Sequence, residues 1–121
     1  MSIEECYEEL GGNYSEVSMR LPNLRLIEKF IGKFLEDTSF DTLCRQVECG
    51  NREESFRAAH TLKGVCANLS FSRLLDSVSQ LTEELRPDTA SITDKTIQLL
   101  KNVQCDYRVT ADAIRKYLDQ L

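Results

Sequence analysis

The fold class is decided by residues 51–69, which read NREESFRAAHTLKGVCANL. When each residue advances about 100° around a helix and His60 is set at 0°, four apolar side chains cluster at about 140–200°. They are Ala58, Leu62, Val65 and Leu69. This clustering predicts an amphipathic helix whose buried face lies opposite His60. Asn51 and Glu54 form a capping box at its start, and we expect it to end near Leu69.

The first twenty residues predict short helices. Ser2 and Glu5 form a capping box for a short helix to Leu10, which the Gly11-Gly12 pair stops. A further turn or two of helix is expected from Ser15.

Two more helices are expected before residue 51. Pro22 suits the first turn of one that runs to about Asp37, and Thr38 or Ser39 caps the next, which Gly50 ends. The predicted buried stripe of the first of these contains Leu24, Ile27, Phe30, Ile31, Phe34 and Leu35.

The chain after Leu69 predicts two helices. The hydroxyls of Ser70 and Ser72 can cap the first, and Pro87-Asp88 marks its end. The second is expected from about Ser91 to Leu121. Its predicted stripe contains Ile97, Leu100, Val103, Tyr107, Ile114, Leu118 and Leu121.

These elements favour an all-α fold, an antiparallel up-down four-helix bundle with an additional short N-terminal helix, because short connections join antiparallel neighbours. The 121 residues contain 5 Gly and 2 Pro, which argues against a strand-rich sandwich or barrel. We expect a single domain over residues 1–121, with a helical extension at about 1–20 and the bundle at 21–121.

The composition excludes several classes of function. A net charge of −5 disfavours binding to nucleic acid or to an anionic membrane. The sequence shows no signal peptide and no membrane-spanning stretch, so we expect a cytoplasmic protein. One histidine and five cysteines without a Cys-x-x-Cys pair predict neither a metal site nor a disulfide framework. The cysteines are expected to be reduced and mostly buried.

Five residues share the helix face of His60, within about 60° of it. They are Phe56, Arg57, Lys63, Gly64 and Ala67. Glycine inside a helix costs about 0.8–1 kcal/mol relative to alanine, so Gly64 suggests that another molecule approaches closely there. Lys63 can place its ammonium beside an anion attached to the imidazole, because side chains three residues apart on a helix are neighbours.

Each of these residues also has an ordinary interpretation. His60 could be a surface histidine without a role, and Gly64 the result of neutral drift. Lys63 and Arg57 could be solvated cations. Phe56 either packs on an adjoining helix or marks a docking patch.

The run Ala59-His60-Thr61-Leu62-Lys63-Gly64, followed by Asn68-Leu69, resembles the signature of histidine-containing phosphotransfer (HPt) domains of two-component phosphorelays. The apolar pattern of Phe30 to Leu35 and the helix through Leu85-Arg86 extend the resemblance over essentially the whole chain. In that family the histidine accepts a phosphoryl group from an aspartyl phosphate on one receiver domain and passes it to another.

The resemblance implies a role for each residue of the His60 face. His60 would be the phosphoacceptor, Lys63 the cation that stabilises the phosphoryl group, and Gly64 the clearance for the receiver. Phe56, Arg57 and Ala67 would contact the partner. The expected partners are receiver domains of response regulators and hybrid histidine kinases; Mg²⁺ is expected on the receiver, and no cofactor on this chain.

Two positions depart from the family pattern. Ser70 stands where the family commonly has glycine, at the bend into the next helix. Many members have a glutamine on the following helix that bonds the imidazole, but direct counting places Thr82 there, with Gln80 out of register, so no residue is assigned.

The leading hypothesis is a phosphorelay intermediate with a nucleophilic imidazole, since an exposed histidine is largely neutral at pH 7. No nucleotide-binding motif is present, so we expect neither ATP binding nor kinase activity. We expect a monomer, because each apolar stripe can be accounted for inside one bundle. The alternative is a helical adaptor or inhibitor that binds receiver domains without phosphotransfer. A metal-dependent or hydrolytic helical enzyme is a weaker third hypothesis, because the chain has one histidine and Arg57 stands where a Glu-x-x-His pair needs glutamate.

Overall fold

The computed structural model describes residues 1–86 and 91–121, and within these ranges the chain forms helices and no strand. The helices are α1 (Ile3–Leu10), α2 (Tyr14–Arg20), α3 (Leu24–Glu36), α4 (Ser39–Glu48), α5 (Arg52–Leu69), α6 (Ser72–Glu84) and α7 (Asp94–Asp119). The all-α prediction is confirmed for this part of the chain. The predicted helix end at Pro87-Asp88 lies outside the described residues.

The two predicted capping boxes can be compared with the starts of α1 and α5. At α1 the backbone N–H of Ser2 donates to Glu5 Oε1 at 2.7 Å, and the Glu5 N–H donates to Ser2 Oγ at 3.1 Å, as the predicted capping box requires. At α5 the Glu54 N–H donates to Asn51 Oδ1 at 3.0 Å. The Glu54 carboxylate instead lies 3.5 Å from Arg57 Nη1, so only the Asn51 half of that box was predicted correctly.

Two predicted helix starts were wrong. Pro22 precedes α3 instead of forming its first turn, because the Asn23 side chain provides the cap by accepting a hydrogen bond from the Arg25 N–H at 2.8 Å. The last helix starts at Asp94, not near Ser91, and Thr93 caps it.

Two predicted caps were also wrong. Thr38 occupies the N-cap position of α4, but its side chain makes no capping bond; Asp37 Oδ1 accepts from the Ser39 N–H at 2.8 Å instead. Ser70 is the C-cap of α5, and Phe71 is the N-cap of α6, so neither serine hydroxyl caps α6.

The core is continuous from α1 to α7, and α5 packs one face into it with α3, α4 and α6 as neighbours. Ile27, Ile31 and Phe34 of α3 are buried as predicted. Leu24 is 46% exposed and Phe30 37% exposed, because both lie at the edges of the stripe, about 60° from Ile27.

The predicted stripe of the last helix also extends too far at both ends. Ile97 is 38% exposed near the start of α7, whereas Leu100, one turn later, is buried. Leu121 is 70% exposed because α7 ends at Asp119, before it.

The cysteines are less buried than predicted. Cys6 and Cys66 are buried, Cys44 is half-buried, and Cys49 and Cys105 are exposed. All five are free thiols. Burial raises the pKa of Cys6 to about 11 and that of Cys66 to about 12, so these two side chains behave as small apolar groups.

Candidate functional site

The candidate site lies on the outer face of α5, where His60 is exposed. Three of the four apolar residues predicted to lie opposite it are buried: Ala58, Leu62 and Leu69. Val65, the fourth, is half-buried. The exposure of His60 was thus predicted correctly, because the helix period places it opposite the middle of the buried stripe.

Phe56 lies one turn before His60 and its ring faces the imidazole. The two ring centres are 6.0 Å apart and the planes differ by 4°. Phe56 is also half-buried against the core, so the ring has a packed side and a side directed to the histidine. Such a ring pair favours orientations of the imidazole that keep the two planes parallel.

Arg57 interacts with acidic side chains of its own helix. Its Nη2 lies 3.1 Å from Glu53 Oε1, and its Nη1 lies 3.5 Å from Glu54 Oε1. Arg57 lines a cleft with Thr42 of α4, so it lies on the side of His60 where α5 meets α4. Its charge is therefore largely compensated at the edge of the His60 face.

Gly64 is exposed, and the surrounding structure leaves room for a side chain there. A Cβ atom built on Gly64 would have no neighbour within 4 Å. At Gly12, by contrast, a Cβ would lie 2.6 Å from Tyr7 and 2.8 Å from the Ser70 carbonyl oxygen. The fold needs glycine at position 12 but not at position 64. Ala67, one turn further along the same face, is exposed as well.

Arg86, which follows α6, reaches the His60 face and pairs with Glu83 of α6, and sequence reasoning missed both residues. Glu83 accepts hydrogen bonds from Arg86 Nε at 2.8 Å and from Arg86 Nη2 at 3.0 Å. The guanidinium of Arg86 lies 6.0 Å from the ring centre of Phe56. The hydrogen bonds of Arg86, and then the charges of Arg86 and Lys63, lower the pKa of the Glu83 carboxyl group. The Glu83–Arg86 spacing of three residues was the available sequence signal.

The two candidates for a residue on α6 that bonds the imidazole have other partners. Thr82 is buried, and its hydroxyl donates to the Val78 carbonyl at 2.7 Å. Gln80 donates to Asp76 Oδ2 at 3.2 Å.

The C-terminal end of α5 is held by residues from the first twenty of the chain. Arg20 donates to the carbonyls of Ala67 at 2.9 Å and Asn68 at 3.2 Å. The Tyr7 hydroxyl donates to the Leu69 carbonyl at 2.8 Å. The carbonyls of Asn68 and Leu69 are among those that a helix end leaves without an intrahelical partner, and these bonds join α5 to the N-terminal helices where it bends into α6.

Ser70 occupies this bend with left-handed backbone angles, φ 57° and ψ 40°. Its carbonyl accepts from the Asn13 N–H at 2.8 Å. Its hydroxyl donates to Glu16 Oε1 at 2.8 Å and also contacts Arg20 Nη2. The hydrogen bond from Ser70, followed by that from Arg20, lowers the pKa of the Glu16 carboxyl group.

A groove of about 480 Å³ runs beside the C-terminal half of α5, between α5 and α3. Its apolar lining residues are Leu21, Phe30, Phe34, Val65 and Leu69. Its polar lining residues are Arg20, Lys33, Asp37 and Asn68. The partial exposure of Phe30 and Val65 follows from this groove.

The described residues, 1–86 and 91–121, contain no group of three or more His, Cys, Asp or Glu side chains placed to hold a metal ion. Within the same residues, no helix combines the length and the apolar character needed to cross a membrane.

Comparison with known proteins relates most of this chain to one family. A family model described as Hpt domain matches residues 25–121, which include nearly all of α3 and the whole of α4 to α7. Helices α1 and α2 precede the matched residues. No curated protein and no solved structure gave a significant match.

Proposed function

Because the chain belongs to the Hpt domain family, we propose that it is a histidine phosphotransfer protein of a multistep phosphorelay. His60 accepts a phosphoryl group from the aspartyl phosphate of one receiver domain and passes it to another receiver. The observation that carries this proposal is the exposure of the chain's one histidine beside Gly64, where a side chain would fit and none is present.

The bond-making step of the transfer uses one nucleophile from this chain. A ring nitrogen of neutral His60 attacks the phosphorus atom; the N–P bond forms as the O–P bond to the aspartyl carboxylate breaks. The carboxylate leaves with the electron pair of that bond, and the phosphorylated ring releases its remaining N–H proton to water. Positioning and charge compensation dominate such reactions. Mg²⁺ bound to the receiver would supply much of the charge compensation.

Lys63 contributes charge from this chain in the proposal. It lies three residues after His60 on the same helix, close enough for its flexible stem to bring the ammonium to a phosphoryl oxygen. Phe56 supports the attack by limiting how the imidazole turns, through the parallel ring contact at 6.0 Å.

Gly64 and Ala67 give the receiver access to the imidazole. An alanine at position 64 would avoid the cost of about 0.8–1 kcal/mol that glycine carries within a helix. The chain has glycine although a Cβ would meet open space. A partner that approaches α5 beside His60 accounts for this residue, and the groove between α3 and α5 extends the same contact surface. Arg57 is the proposed polar contact on the α4 side.

The broader architecture belongs to the same proposal. We expect one domain over residues 1–121, with α4 to α7 as an antiparallel four-helix bundle, α3 packed against α5 and α7, and α1 and α2 as an N-terminal extension. The succession of neighbouring pairs α4–α5, α5–α6 and α6–α7 supports the up-down order. A cytoplasmic monomer that binds receiver domains, and neither ATP, nucleic acid nor a membrane, fits this role.

The test is phosphotransfer from a panel of phosphorylated receiver domains to the wild type and to His60→Gln. We expect acid-labile label on the wild type and none on His60→Gln. Lys63→Gln should slow the transfer about tenfold or more, while Lys101→Gln, which removes an exposed lysine of α7, should leave it unchanged.

Binding measurements with the same receivers separate the proposal from the adaptor hypothesis. His60→Gln should retain affinity for the receiver but lose phosphate flux. Receivers that bind the wild type yet never label it would favour an adaptor or inhibitor instead.

A further inference from the structure

Helices α1 and α2 precede the residues that match the family, and they bond to the bend that follows α5. Three successive carbonyl groups of this bend, those of residues 68 to 70, accept hydrogen bonds from the first twenty residues. The donors to these three carbonyls are, in order, Arg20 Nε at 3.2 Å, the Tyr7 hydroxyl at 2.8 Å and the Asn13 N–H at 2.8 Å. The bend therefore depends on a segment that the family match, which begins at residue 25, does not include.

The start of α6 is bonded to the same segment. The Arg73 N–H is among the first donors of α6, which a helix leaves without an intrahelical acceptor, and it donates to the Gly11 carbonyl at 3.0 Å. A Cβ atom at Gly12 would lie 2.8 Å from the Ser70 carbonyl oxygen, so the two backbones are in close contact. The N-terminal segment thus satisfies backbone groups on both sides of the bend.

Arg20 makes several of these contacts at once. Besides the Asn68 carbonyl, its guanidinium bonds the Ala67 carbonyl at 2.9 Å and contacts the Ser70 hydroxyl. Glu16, one turn earlier on α2, accepts a hydrogen bond from the same guanidinium at 3.0 Å. A guanidinium has five N–H donors in fixed directions, so it can hold these acceptors in one arrangement.

The last turn of α5 also lies at the surface proposed for the receiver. Ala67 is exposed on the His60 face, and Asn68 and Leu69 line the groove between α3 and α5. Arg20, whose side chain is 42% exposed, lines the same groove. The bonds at the bend therefore fix the backbone from which part of this surface is built.

We propose that Arg20 is a positioning residue for receiver binding: from α2 it holds the last turn of α5 in the conformation that the receiver binds. This inference rests on the proposed function, since it takes a receiver domain as the partner. If the turn is ordered for only a fraction of the time, the affinity for the receiver falls by that fraction. The chemistry at His60 is separate, because Ala67 lies about 10 Å further along the helix axis.

The experiment compares the wild type with Arg20→Met, which keeps an unbranched side chain and removes its hydrogen-bond donors. In phosphotransfer from a phosphorylated receiver, KM should rise about three- to tenfold, as expected for a turn that is ordered about 10–30% of the time. The kcat should stay within about twofold of the wild type, because binding is lost and the reacting groups are unchanged.

Phosphoramidate tests the reacting group without a receiver. It transfers its phosphoryl group to a ring nitrogen of His60 as ammonia leaves, and it is too small to contact the bend at the same time. The wild type and Arg20→Met should therefore be loaded at rates within about 1.5-fold of each other. A loading rate that falls as far as the receiver reaction would overturn the inference, because the variant would then have altered His60 itself.

Tyr7→Phe separates positioning from direct contact with the receiver. Tyr7 is 1% exposed, so its hydroxyl bonds the Leu69 carbonyl but cannot touch a partner. Its loss should raise KM in the same direction as Arg20→Met, by about two- to fivefold. Arg20→Lys keeps the charge but loses the planar guanidinium, so its KM should also remain raised. A wild-type KM in Arg20→Lys or in Tyr7→Phe would overturn the inference in favour of a simple charge contact.

Hydrogen exchange measures the order of the bend itself. In Arg20→Met, the amides of Asn13 and Arg73, which bond across the bend, should exchange about tenfold faster or more. Unchanged exchange together with a raised KM would overturn the inference, since Arg20 would then act without ordering the bend.

Arg108→Met is the matched control. It makes the same substitution at an exposed position of α7, so it changes the net charge equally and should leave KM and the exchange rates unchanged. Circular dichroism checks that each variant is folded. Receivers that bind the wild type without labelling it would count against the proposed function alone. The same variants would then be compared by Kd, and a Kd raised about three- to tenfold in Arg20→Met would still support the positioning role.

Discussion

Replacement of Ser70 tests how the bend after the His60 helix is stabilised. Ser70 has a left-handed backbone, with φ 57°, which costs an L-residue about 1–2 kcal/mol relative to glycine. Its hydroxyl compensates by bonding to Glu16 and Arg20. Two such bonds contribute about 1–3 kcal/mol together, toward the lower end because both partner side chains are about half exposed.

The two substitutions at this position separate the two effects. Ser70→Ala loses the hydroxyl bonds and keeps the left-handed strain, so we expect a loss of about 1–3 kcal/mol in the free energy of unfolding. Ser70→Gly loses the same bonds but relieves the strain, so it should be about 1 kcal/mol more stable than Ser70→Ala. In a chain of this size that difference corresponds to about 3–5 °C in Tm.

Urea denaturation followed by circular dichroism measures these differences, and Ser79 provides the control. Ser79 lies inside α6, where the backbone is helical, so the order must reverse there: Ser79→Gly should be about 1 kcal/mol less stable than Ser79→Ala. If Ser70→Gly is no more stable than Ser70→Ala, the left-handed geometry does not determine which residue suits this bend.

Three further predictions concern other positions. Gly64→Ala should stabilise the protein by about 1 kcal/mol in urea denaturation, because helix propensity improves and no contact is lost; a destabilised variant would show that the fold itself needs this glycine. Tyr7→Phe should cost about 1–3 kcal/mol in the same assay, because it leaves the buried Leu69 carbonyl without its hydroxyl donor; an unchanged midpoint would contradict the importance of that bond. Burial raises the pKa of Cys66 to about 12, so in the native protein at pH 8 a thiol reagent should modify the exposed Cys49 long before Cys66; equal rates would contradict the burial of Cys66.

The face of α5 could be predicted from the sequence because it depends on local geometry. The helix period alone places His60 opposite Leu62 and Leu69, whatever the rest of the chain does. The same reasoning predicted too many buried residues for α3, where Leu24 and Phe30 lie at the edges of the stripe and are exposed. Whether such edge positions are covered depends on neighbouring helices, and spacing along one helix does not contain that information.

The role of Ser70 could not be predicted because its partners are distant in sequence. A serine between two helices is equally suitable as an N-cap of the second helix. Here it ends the first helix, because Asn13, Glu16 and Arg20 bond to it from more than 40 residues away. Arg86 and its partner Glu83 were missed for a similar reason, since the packing of α6 on α5 decides which side chains near the end of α6 reach the His60 face.

The most direct test of the account is to locate the phosphate after transfer from a receiver domain. Mass spectrometry of the protein, digested at neutral pH to preserve an N–P bond, should find one phosphoryl group, on the peptide that contains His60. The variant His60→Gln should carry none under the same conditions. A phosphoryl group on any other residue, or one that persists in His60→Gln, would contradict the account.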